Sequence, residues 1–135
     1  MAFANLILQI VILLLISLSL LLKRKRKFVW HGNVMLVAVL INGLLLVSHM
    51  GPSLIYLLKA EIPALDPIAF VGLFHGIIGA VAEFLGIWLV GTWAYVQSET
   101  KYCVQRKKLM RTILAFWALA LSLGFLYYLL HIVWG

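Results

Sequence analysis

Four apolar runs, each long enough to cross a bilayer, take up almost the whole of this chain. They cover about Ala4 to Leu22, Phe28 to Leu58, the stretch from just after Pro67 to Tyr95, and Leu109 to Trp134. A helix rises about 1.5 Å per residue, so about 20 residues span the roughly 30 Å of hydrocarbon in a bilayer. The runs are Leu-rich with scattered glycine and do not alternate as barrel strands do. The expected fold class is all-α integral membrane: one four-helix transmembrane bundle spanning residues 1–135. The connections, Lys23 to Lys27, Lys59 to Pro67 and Gln97 to Lys108, are short, so sequential helices should be antiparallel neighbours.

Little is left over for anything else. Of 135 residues 65% are hydrophobic and 11% charged, with mean hydropathy +1.12. No soluble substrate domain fits, so chemistry must occur among the helices or come from other subunits of a membrane complex.

The net charge of +7 does not signal nucleic acid. Five basic residues form the run Lys23 to Lys27, and Lys101, Arg106, Lys107, Lys108 and Arg111 form a second cluster; Lys59 stands apart. Both clusters border apolar runs, the positive-inside pattern, with contact to anionic lipid headgroups as a second role. The expected localisation is the cell membrane, multi-pass, with basic loops cytoplasmic and both termini outside. The single cysteine, Cys103, falls beside the second basic cluster and is expected to be cytoplasmic and reduced. The first run has no basic residues before it and reads as a retained anchor. Trp30, Trp93, Tyr95 and Trp134 fall at expected interfaces, as an aromatic belt would.

Polar residues within apolar spans usually mark function. Residues seven, eleven or eighteen apart share a helix face, which puts His31, Asn42, His49 and Ser53 on one stripe of the second span. On the third, His75, Gly79, Ala82, Gly86 and Trp93 share a face, flanked by Glu83. Both stripes should point into the bundle. Counting along the spans puts His49 and His75 at the same depth, about 12 Å below the outer surface, and His131 about 5 Å below it. His49 and His75 are therefore the candidate axial ligands of a b-type haem. Pro52 would distort the helix near His49 and open space for the ring. His131 would replace either ligand or bond a propionate. The plainer alternative is that these histidines only tie helices together.

Asn42 and Glu83 match in depth near the middle of the membrane, and Glu83 is the only acid within a span. Glu83 is expected to be protonated or hydrogen-bonded, as a proton relay, a contact for a quinone-like carrier, or a neutral interhelical bond to Asn42. Gly72 and Gly76 allow close helix packing or a flat macrocycle. His31 should stand alone among headgroups, approached weakly by Met35, Met110 or Cys103.

The run Lys23-Arg24-Lys25-Arg26, the opening His31-Gly32-Asn33-Val34-Met35, Leu73-Phe74-His75 and Arg106-Lys107-Lys108-Leu109 resemble a small four-span family of prokaryotic membrane proteins, domain of unknown function 420, which includes YozB/CtaM-like proteins. The resemblance covers most of the chain after Lys23. It carries over His31 and His75 at matching positions, and some members are implicated in maturation of haem-copper oxidases. The chain departs from the family at Gln105-Arg106, where members often carry a histidine. More loosely, paired histidines on four helices resemble b-type membrane cytochromes. The expected function is a haem-binding electron-transfer subunit of a respiratory or redox complex, without catalytic activity alone. The alternative is a non-enzymatic assembly factor or accessory subunit of a haem-copper oxidase or other membrane complex.

Overall fold

The computed structural model describes residues 2–60, 66–95 and 104–134. Its helices are α1 (Ala2–Arg24), α2 (Phe28–Leu45), α3 (Gly51–Lys59), α4 (Pro67–Tyr95) and α5 (Lys107–Trp134), and no strand occurs among the described residues. A π-helical turn at Leu46–Met50 joins α2 to α3 without a break. Four segments result, Phe3–Arg24, Phe28–Lys59, Pro67–Tyr95 and Lys107–Trp134, each long and apolar enough to cross a membrane. Their ends fall within a few residues of the expected spans. Pro63, Cys103 and Gly135 lie outside the described residues.

The first reversal is set by backbone geometry. At the end of α1, Lys27 N–H donates to the Leu22 carbonyl and Arg26 N–H to the Lys23 carbonyl, both at 3.0 Å. This is a Schellman motif with Arg26 in the left-handed position, φ 58°. That conformation costs a residue with a side chain about 1–2 kcal/mol. At the start of α4, Asp66 Oδ1 accepts the Ile68 N–H at 3.0 Å, and Pro67 takes the first helical position, where no N–H is needed.

α1 packs on α2, α2 on α4, and α4 on α5, with α3 also against α4. Ile12, Ile16, Ala38 and Leu45 form the buried cluster, and Leu114 and Trp117 of α5 pack on it. Most large apolar side chains instead face outward; Leu44 and Phe84 are 70% and 73% exposed. Such an outer surface suits a lipid solvent rather than water.

Three expectations are decided here. Trp93 is buried, in keeping with its place on the inward stripe with Ala82 and Gly86, and its indole lies where a Cβ at Gly32 would be. Trp30, Tyr95 and Trp134 are exposed. The space left by Gly72 and Gly76 is taken by Tyr127 and Leu54, within 2.8 and 2.7 Å of where a Cβ would sit.

The third, the stripe on the second segment, changes. His31 and Asn42 are buried, but His49 and Ser53 are exposed. The π-helical turn, which contains His49 and precedes Ser53, is the cause. Pro52 has no N–H to give the Ser48 carbonyl, and the turn absorbs the mismatch: Gly51 N–H reaches back five residues to the Leu46 carbonyl. A Cβ at Gly51 would come within 2.9 Å of that oxygen, so glycine suits the position. One extra residue in a turn rotates everything after it by about 100°. A face counted from His31 therefore holds to Asn42 and fails at His49.

Candidate functional site

A chain of polar side chains crosses the middle of the bundle. Asn42 Nδ2 donates to Glu83 Oε2 at 2.6 Å, and Gln9 Nε2 donates to Asn42 Oδ1 at 3.3 Å. Three segments are thus linked at one level. Gly43 leaves room for the carboxyl, since a Cβ there would lie 3.0 Å from Glu83 Oε1. Glu83 is only 4% exposed, and its Oε1 has no hydrogen-bond partner among the described residues. A buried acceptor left unpaired costs roughly 1–3 kcal/mol, and only Asn5 Oδ1 shares this condition among the described side chains.

Glu83 and Asn42 sit on the wall of a cavity of about 130 Å³. The cavity runs toward the basic end of the bundle, past Ala38 and Gly86, to His31, Lys23 and Arg111. Its walls are otherwise apolar, with Trp93 and Trp117 among them. An apolar cavity of about 150 Å³ takes a benzene ring, so this one is matched to a single ring rather than to a macrocycle.

His31 is buried and lines this site, so it does not stand alone. The tight turn after α1 sets Ser19 opposite it. Ser19 Oγ donates to the His31 carbonyl at 3.0 Å, and His31 Nδ1 lies 2.6 Å from Ser19 Oγ and 2.9 Å from the Ser19 carbonyl. With the hydroxyl proton directed at the carbonyl of His31, Nδ1 carries the ring proton and donates to Ser19. Met35 and Met110 line the same cavity.

The other histidines lie elsewhere. His75 Nδ1 donates to the Ala120 carbonyl of α5 at 2.7 Å, and its ring occupies the space over Gly124. It also lines a second cavity, of about 60 Å³, with Met50 and Gly76. His49 does not line that cavity and is exposed. His131 is exposed and stacks on Tyr127, with ring centroids 6.2 Å apart. Among the described residues no three of His, Cys, Asp and Glu gather as a metal site. The structure therefore joins Asn42 with Glu83, while His49, His75 and His131 do not gather as one group among the described residues.

Gln9 and Ser19 were missed from the sequence. The same depth count would have found them: Gln9 lies fifteen residues before the end of α1, and Asn42 fourteen residues after the start of α2.

No family model, curated protein or solved structure matches this chain. The likeness to the four-span family therefore rests on its short motifs alone.

Proposed function

We propose that this chain is a subunit of a larger redox complex in the cell membrane, with its basic loops in the cytoplasm, and that its bundle binds a quinone-class carrier. The observation that carries this reading is Glu83 itself: a buried carboxyl with one oxygen unpaired among the described residues, in a side chain that lines a ring-sized apolar cavity. Ligand sites are mostly apolar with a few well-placed polar groups, and this cavity has that character. Glu83 donates to a ring oxygen when protonated and accepts from a ring hydroxyl when ionised. It is thus the group to exchange a proton with the carrier when a partner subunit supplies or removes electrons.

The b-type haem expected from the sequence draws no support from the positions of His49, His75 and His131. A reduced-minus-oxidised spectrum of purified protein is its test.

The quinone reading is tested by equilibrium binding of a short-tailed quinone to protein in lipid nanodiscs. Wild type should bind saturably. Glu83→Leu should weaken binding about tenfold, the loss of one hydrogen bond to a polar ligand group. Glu83→Gln keeps a donor and should bind more tightly than Glu83→Leu. Binding by Glu83→Leu equal to wild type would remove Glu83 from the site.

A further inference from the structure

Three of the four seams around the cavity are fastened. Between α1 and α2, Ser19 bonds His31 and Gln9 bonds Asn42. Between α2 and α4, Asn42 bonds Glu83, and Gly32 admits the Trp93 ring. Between α4 and α5 the fastenings lie beyond the cavity, where His75 bonds the Ala120 carbonyl and Gly72 admits the Tyr127 ring, and the two helices stay in close contact. The fourth seam, α1 with α5, has none of these. Among the described residues no hydrogen bond crosses it, α1 contains no glycine, and the two backbones do not approach as the others do. It is closed by apolar side chains: Leu114 and Trp117 pack on the cluster that includes Ile12 and Ile16.

In a bilayer this difference matters. Lipid tails are as apolar as leucine, so contacts of the fourth seam are exchanged for acyl chains at little cost. Hydrogen bonds and close helix packing have no such replacement in lipid. The residues that close the seam, Ile12, Ile16, Leu114 and Trp117, are also a wall of the cavity. A cavity of about 130 Å³ holds a ring and leaves no room for a long tail. The tail must pass through a wall. The basic end offers Lys23 and Arg111, which an apolar tail would have to desolvate.

We propose that the seam between α1 and α5 is the lateral gate of the cavity: a quinone-class molecule enters from the bilayer there, sets its ring toward Glu83 and leaves its tail between the two helices. This rests on the cavity being the carrier site, and the two are tested apart.

The experiment uses the full chain in nanodiscs, with Cys103→Ser to remove the native thiol. Ile16→Cys and Leu114→Cys are joined by a short bifunctional methanethiosulfonate linker that reduction releases. The association rate of a radiolabelled one-isoprenyl quinone is then measured. Linking should slow association about tenfold or more, because binding then requires a motion the linker forbids. Reduction should restore the rate, and a monofunctional reagent should not reproduce the block. The pair Leu54→Cys and Gly76→Cys, linked across α3 and α4, should leave the rate unchanged. Leu20→Cys with Leu114→Cys repeats the test along the seam. Equal rates in linked and reduced protein would overturn the gate while leaving the binding site intact. Absence of saturable binding in the reduced protein would overturn both.

Discussion

The amide of Asn42 on α2 donates to the carboxyl of Glu83 on α4 at 2.6 Å, and this bond satisfies only one of the two carboxyl oxygens. It ties two helices together beside the cavity and leaves Oε1, packed over Gly43, without a partner among the described residues. Structural and binding roles thus fall on the same side chain and can be separated by mutation.

Asn42→Leu should destabilise the bundle by about 1 kcal/mol, because it strips the last donor from a buried carboxyl and also frees the amide of Gln9. Adding Glu83→Leu should recover most of that loss, since removing both partners leaves no orphan. Unfolding in mixed micelles measures both changes. A double variant less stable than either single one would mean that the pair is not held by this bond.

Gly32→Ala should cost roughly 1–3 kcal/mol, the price of overpacking a site already filled by a rigid indole. The added methyl would displace Trp93, so its fluorescence should shift in a variant retaining only that tryptophan. A neutral Gly32→Ala with unshifted emission would contradict the close approach of α2 and α4 at this end.

Removing the π-helical turn should be tolerated where removing a residue of α2 is not. Deleting exposed Val47 together with Pro52→Ala shortens the turn to a normal helix and removes the residue that opposes one. Deleting exposed Val37 instead rotates His31 against Asn42 by about 100°, so Ser19–His31 and Asn42–Glu83 cannot both form. Folded yield and melting temperature should fall much further for the second deletion. The opposite order would dissociate the turn from the placement of the polar pairs.

The sidedness follows from charge. Ten of eleven basic residues border two loops, so Cys103 should react only with thiol reagents that reach the cytoplasm, and a tag after Gly135 should be accessible from outside. External labelling of Cys103 by an impermeant reagent reverses the topology.

Length and hydropathy in the sequence were enough to give four helices long and apolar enough to cross a membrane, because 1.5 Å per residue against a fixed bilayer thickness leaves few alternatives. Depth was legible too: counting from the span ends paired Asn42 with Glu83, which the structure joins, and would have paired Gln9 and Ser19 with their partners. What the count could not give is direction around the helix axis. Azimuth accumulates at about 100° per residue, so the one-residue excess at Leu46–Met50 turned His49 outward although its depth matches His75. Nor could it show which neighbour claims a side chain. Trp93 faces inward as its stripe required but chose the space over Gly32, His31 turned to Ser19, and His75 turned to the Ala120 carbonyl on α5. Those choices depend on which backbones lie close enough to donate, accept or make room, and only the packed bundle decides that.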